Sequence, residues 1–194
     1  MRAPVHELHR ANLLTYGALV CAVVASVAHS HPAVAGIALA LAVVADTFDG
    51  RFARAFARTD RQQRIGHQLD SLVDAVAFGL APVMVLAATA PHDGIVDLLC
   101  WWIAAAAYVS AAVTRLAFYN VEQDAERFVG LPAPAAALLC ATGLVVPTPA
   151  WANAWPLVVG AVAMVAPFSF ARPRGVGLAA FVGWAVGVVL LSVI

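Results

Sequence analysis

Apolar residues run through the chain in long blocks, separated by short polar, arginine-bearing or proline-bearing stretches. Seven blocks stand out, at 13–29, 33–54, 66–90, 96–118, 131–147, 152–170 and 176–193. A helix needs roughly 20 mostly apolar residues to cross a ~30 Å hydrocarbon core. The block at 152–170 is the least regular, because Pro156 and Pro167 interrupt it. The pattern predicts an all-α, polytopic integral membrane bundle of six core transmembrane helices plus a seventh. No long linker, low-complexity tract or internal repeat divides it, so residues 1–194 are read as a single domain.

Composition fixes the solvent. The chain is 63% hydrophobic and only 11% charged, with a mean hydropathy of +0.87. A soluble domain of this length needs more charge to cover its surface. Cys21, Cys100 and Cys140 lie scattered in apolar blocks without disulfide or metal-ligand spacing, and read as small hydrophobes. Trp101, Trp102, Trp151, Trp155 and Trp184 fall at or near span ends, as an interfacial belt requires. The first block also fits a cleavable leader, since Arg2 and Arg10 precede it and Ser26-Val27-Ala28 resembles a cleavage site. Because the later spans would insert without a cleaved leader, this block is expected to remain a span.

The charges supply an orientation. There is no lysine, and the arginines fall into four groups: Arg2 and Arg10; Arg51, Arg54, Arg58, Arg61 and Arg64; Arg115 and Arg127; Arg172 and Arg174. These groups occupy the N-terminus and the connections after the second, fourth and sixth blocks. The alternate connections have none. Positive charge is retained on the cytoplasmic side, so the N-terminus is expected in the cytoplasm of a multi-pass cell-membrane protein. No nucleic-acid partner is expected.

Four acids interrupt the second and third blocks. Asp46 and Asp49 are spaced i, i+3, and Asp70 and Asp74 i, i+4, so each pair shares one helical face. Antiparallel neighbours would bring both pairs to one depth near the cytoplasmic edge. Ionisable groups within a span are costly and usually functional. Four carboxylates in low dielectric cannot all stay ionised without cations. An all-oxygen donor set favours Mg²⁺ or Mn²⁺. Pairing of these aspartates with Arg51, Arg54 and Arg64, or helix capping, is the structural alternative.

These residues spell Asp46-x-x-Asp49-Gly50-x-x-Ala53-Arg54 and Gly66-x-x-x-Asp70-x-x-x-Asp74. The string resembles the signature of the CDP-alcohol phosphotransferases, membrane enzymes of six core helices that are often dimeric and open to the cytoplasm. Eleven residues separate Arg54 from Gly66, where the family pattern has eight. The extra residues, within Arg58 to Arg64, are read as a longer cytoplasmic loop.

The resemblance implies roles. Asp46, Asp49 and Asp70 would bind a first metal ion, and Asp46, Asp70 and Asp74 a second, with Asp74 also the general base. Asp46, Gly50 and Arg54 would contact the CDP part of the lipid. Asn12 and Thr15, in Asn12-Leu13-Leu14-Thr15, resemble the family's nucleotide-contacting positions; a helix N-cap is the plainer account of Asn12. His67, beside the acids, is read as a loop or helix-end residue rather than a ligand.

Three further stretches resemble the phosphatidylserine synthase branch: Leu69 to Pro82, Arg115-Leu116-Ala117-Phe118-Tyr119-Asn120, and Phe128-Val129-Gly130-Leu131-Pro132-Ala133-Pro134. Phe118 stands where that branch has arginine. The implied reaction transfers the phosphatidyl group of CDP-diacylglycerol to L-serine, releasing CMP. Arg115 and Asn120 are candidates to hold serine; a topology anchor and a helix cap are their alternatives. Gly130-Leu131-Pro132 could simply shape the turn into the fifth span. The alternative acceptors are inositol phosphate, glycerol phosphate and choline; a phosphorylated one would need a basic pocket, which Arg58, Arg61, Arg64 and Arg127 could supply. Other functions are a membrane prenyltransferase or a divalent-ion transporter.

Overall fold

The computed structural model describes residues 3, 7, 9–90, 94–122, 127–146, 148, 152–171 and 175–193. Arg2, Trp151, Arg172 and Arg174 lie outside the described residues. A 3-10 turn at Arg10–Asn12 leads into α1 (Leu13–Val27), and α2 (Pro32–Ala53) follows a tight turn. Pro32 opens α2, where its fixed φ suits the first turn and its missing N–H costs nothing.

The third span is longer than the apolar block that announces it. α3 (Asp60–Asp74) continues through a π segment (Ala75–Leu80) into α4 (Ala81–Leu86), and the span ends at Thr89. It starts at Asp60 because Thr59 and Gln62 form a reciprocal capping box. The Gln62 amide donates to Thr59 Oγ1 at 3.3 Å, and the Thr59 amide donates to Gln62 Oε1 at 3.0 Å. The expected long loop is thereby corrected: residues 60–64 are helix, and only a short connection leaves α2. The box satisfies two orphan amides of the first turn.

In the π segment the ladder widens by one residue per turn. The fully buried Tyr108 hydroxyl donates to the Phe78 carbonyl at 2.9 Å, supplying a partner within the altered ladder.

α5 (Ile95–Glu122) is the longest helix after this span, and α8 (Val176–Val193) closes the chain. Between them, α6 (Ala133–Val145) and α7 (Trp155–Val165) have 13 and 11 residues. At ~1.5 Å per residue they are too short to cross alone. Among the described residues, five helices have the length and apolarity for a full crossing, and α6 and α7 are shorter apolar helices. Prolines account for the difference. Pro132 precedes α6, Pro156 occupies the start of α7, and α7 ends in extended backbone at Ala166 before Pro167.

Two short strands link these connections: β1 (Arg127–Val129) pairs antiparallel with β2 (Ser169–Ala171). Gly130 follows β1 at φ +68°, and a Cβ there would strike the Met164 carbonyl. Its amide instead donates to the Phe168 carbonyl at 2.8 Å, and the Leu131 amide to Ala163 at 2.8 Å. The turn role expected for Gly130-Leu131-Pro132 is therefore the one these residues perform.

The interior is built from small residues. Ala22, Ala35, Ala42, Ala112, Ala136 and Ala141 are buried, with Leu39, Phe78, Tyr108 and Leu157 filling the gaps. Small side chains let helix backbones approach where no hydrophobic drive exists between them. Val20, Val23, Ile103, Val162 and Leu190 point outward, as a lipid-facing surface requires.

The two ends of the bundle differ chemically. At one end, the start of α1 meets the end of α2 and the start of α3, and Ser71 of α3 reaches Asn120 near the end of α5. The arginines of the connection between α2 and α3 lie at this end. At the other, Asn153 donates to the Thr89 carbonyl at 2.8 Å and accepts from Thr148 at 2.6 Å, without arginine.

Candidate active site

The acidic cluster forms where α2 and α3 pass each other. Asp46, Asp49 and Asp70 can each offer a carboxylate oxygen so that all three lie within 4.8 Å. Asp74, one turn deeper, faces Asp46 closely enough to share a hydrogen bond. Asp49 also accepts from Thr15 Oγ1 at 3.1 Å, which ties α1 to the cluster. All four carboxylates are half-buried. No arginine forms an ion pair with them among the described residues, so neutralisation by Arg51, Arg54 and Arg64 is not how the cluster is held. The donor set is entirely oxygen and clustered, with no ion-paired arginine among the described residues. It fits a hard divalent ion.

Beside the cluster opens a cleft of about 220 Å³, reaching from Asp49 and Asp70 past Gly50, Arg54 and Gly66 to Asn12 and Thr15. Of the five residues expected to contact the CDP-lipid, Asn12, Thr15, Gly50 and Arg54 line it and Asp46 does not. Asn12 stands at the N-cap position of α1, but its side chain makes no capping bond. Asn12 and Thr15 are 4% and 6% exposed, buried polar groups facing a polar cleft. The two motif glycines keep this space open. A Cβ on Gly66 would sit 3.1 Å from Asn12 Oδ1, and one on Gly50 would sit 3.7 Å from an Arg54 guanidinium nitrogen.

Arg115 and Asn120 lie on another side of the acids. Ser71, between Asp70 and Asp74 in sequence, donates to Asn120 Oδ1 at 3.0 Å. Asn120 is within α5, which runs to Glu122, so it does not cap that helix. Arg115 is 7% exposed, packed in the helix interior near Asp74, with its guanidinium 4.4 Å from the Tyr119 ring centre. A mere topology anchor would sit at the surface; Arg115 does not. Tyr119 in turn holds β1 through the Val129 amide and carbonyl.

Gln63 is not singled out in the sequence, and His67 is read there only as a loop or helix-end residue. Gln63 and His67 fall on the stripe Gln63, His67, Asp70, Asp74, the i, i+4, i+7, i+11 face of one helix, which is the signal that finds them. His67 lines the cleft without joining the metal-binding group. Arg58, one of the arginines that could serve a phosphorylated acceptor, also lines it.

A family model described as CDP-alcohol phosphatidyltransferase matches residues 8–191. A Mycobacterium leprae protein named CDP-diacylglycerol--serine O-phosphatidyltransferase is 40% identical over 130 residues, covering 61% of this chain and 41% of that protein. A Bacillus subtilis protein of the same name is 29% identical over 130 residues, 65% of this chain and 70% of its own. A Methanothermobacter thermautotrophicus protein named archaetidylserine synthase is 33% identical over 103 residues, covering 53% and 42%. The aligned part of this chain spans about two fifths of the mycobacterial relatives' length. With the motif assembled around one cleft and the family model matching residues 8–191, the chain belongs to the CDP-alcohol phosphatidyltransferase family.

Proposed function

We propose that the protein transfers the phosphatidyl group of CDP-diacylglycerol to L-serine, giving phosphatidylserine and CMP. The observation that carries this reading is the junction of an all-carboxylate cluster with a polar cleft lined by Asn12, Thr15, Gly50 and Arg54. Serine is favoured by the relatives' names, which change the lipid between bacteria and an archaeon but keep serine. The buried Arg115 beside Asp74 agrees with it, since a guanidinium binds a carboxylate through two parallel bonds.

The residues divide the work. Asn12 and Thr15 hold the nucleotide end, Gly50 lets it approach the backbone, and Arg54 donates charge-assisted hydrogen bonds to the diphosphate. Asp46, Asp49 and Asp70 would hold one Mg²⁺ or Mn²⁺, and Asp46, Asp70 and Asp74 a second. Two such ions would supply charge neutralisation at the diphosphate and the departing CMP. Asp74 takes the proton of the serine hydroxyl as its oxygen bonds to the phosphorus bearing diacylglycerol. The bond from that phosphorus to the CMP oxygen breaks, and CMP leaves with the bonding pair. Acyl chains stay in the bilayer throughout.

The arginine-rich end faces the cytoplasm in this reading. A homodimer is also part of it, on the strength of the family resemblance. The test is to supply purified protein with labelled CDP-diacylglycerol and Mg²⁺ or Mn²⁺ and vary the alcohol. Serine should give phosphatidylserine and CMP in equal amounts. CMP release with inositol phosphate, glycerol phosphate or choline but not serine would move the acceptor and leave the family chemistry standing.

A further inference from the structure

The connection from α2 to α3 carries three more residues than the family pattern, and it is anchored at three points. Phe56 packs edge-on against Phe52 and His9, with ring centres 5.0 and 6.2 Å apart. Thr59 closes the capping box of α3. Arg61 pairs with Glu7 at 2.8 Å. Arg58 lies between the first two anchors. It is half-buried, lines the cleft, and its guanidinium would come within 3.5 Å of a Cβ on Gly66.

The three arginines of this stretch have different fates. Arg61 is neutralised by Glu7, and Arg64 is exposed and outside the cleft. Arg58 alone of the three turns into the cleft, and it has no carboxylate partner among the described residues. A partly desolvated guanidinium without a counter-charge is unfavourable until an anion completes it. Arg54 approaches the same cleft from Gly50, so two guanidinium groups share one small polar space with Asn12. Arg115 and Asn120, the acceptor candidates, lie instead near Asp74 and Ser71.

We propose that Arg58 is a second diphosphate-binding residue, gripping the nucleotide diphosphate of the lipid substrate together with Arg54. The extra residues between Arg54 and Gly66 are then the part of this chain that delivers a further cation to the donor. The proposal rests on the nucleotide reading of the cleft, and its test separates the two.

Measure how well CDP and cytidine compete with CDP-diacylglycerol in detergent-solubilised wild type, Arg58→Gln, Arg58→Lys and Arg64→Gln. Removing a charge-assisted contact should weaken CDP by roughly tenfold in Arg58→Gln, with cytidine unchanged. The KM for CDP-diacylglycerol should rise by about the same factor while the KM for serine stays put. Arg58→Lys should recover part of the loss, since it keeps the charge without the fork. Arg64→Gln should match wild type. Unchanged CDP affinity in a folded Arg58→Gln protein would overturn the role of Arg58 and leave the nucleotide site intact. A rise confined to the serine KM would overturn it equally. A wild type that binds CDP no better than cytidine would overturn the nucleotide reading itself, and this proposal with it.

Discussion

The two sides of the acidic cluster are built differently. On the donor side, Asn12, Gly50, Arg54 and Gly66 face an open cleft, and the glycines keep it clear. On the acceptor side, Arg115 stacks on Tyr119 and Asn120 accepts from Ser71, so both groups are already engaged with the protein. Under the proposed function the donor site is largely preformed, while a serine would have to compete with internal contacts for its partners. Preorganisation spares binding energy on the first side and costs it on the second. The donor is expected to bind the free protein more tightly than the acceptor does.

Changes common to both sides should have the largest effect. Asp46→Asn, Asp49→Asn, Asp70→Asn or Asp74→Asn should each reduce CMP release by several kcal/mol of transition-state stabilisation, about a thousandfold or more, without unfolding. Near-normal turnover in a folded variant would detach the cluster from the chemistry.

Next comes the acceptor side. Arg115→Lys retains the charge but loses the planar fork over Tyr119. It should lower kcat/KM for serine by roughly tenfold to a hundredfold, with less change in the KM for CDP-diacylglycerol. Equal effects on both substrates would erase the distinction between the sides.

The donor side should answer to a single methyl group. Gly66→Ala places a Cβ 3.1 Å from Asn12 Oδ1. Crowding of this kind costs about 1–3 kcal/mol, so the KM for CDP-diacylglycerol should rise by severalfold or more while the KM for serine holds. Smallest of all, Thr59→Ala removes the capping hydroxyl of α3 and should cost about 1 kcal/mol of stability in a thermal melt. Its kinetic trace should fall on the CDP-diacylglycerol KM, because Arg58 and Gln63 flank the cap.

Much of this was legible in the order of residues. The spacing of Asp46 with Asp49, and of Asp70 with Asp74, specifies two helical faces, and antiparallel packing joins them. The Thr59-x-x-Gln62 capping box was equally available, but charge around Arg58 to Arg64 made the stretch resemble a loop. Other features were beyond local pattern. Hydropathy measures apolarity rather than helix length, so it could not separate the short α6 and α7 from full spans. The π segment depends on Tyr108 reaching Phe78 from another helix. The β1–β2 pair joins segments far apart in sequence. Arg58 is one arginine among five in its stretch, and only its neighbours' anchors turn it inward.

The central claim is that the carboxylates gathered from α2 and α3 work as a divalent-metal centre for CDP-alcohol transfer. The most direct measurement is CMP release from labelled CDP-diacylglycerol and serine by purified protein, stripped of metal by chelator and then titrated with Mg²⁺ or Mn²⁺. Turnover should vanish on stripping and return with either or both ions, each CMP matched by one phosphatidylserine, and Asp70→Asn should fail to recover at the same metal concentrations. Undiminished CMP release from stripped protein, or recovery of Asp70→Asn to the wild-type rate, would contradict the account.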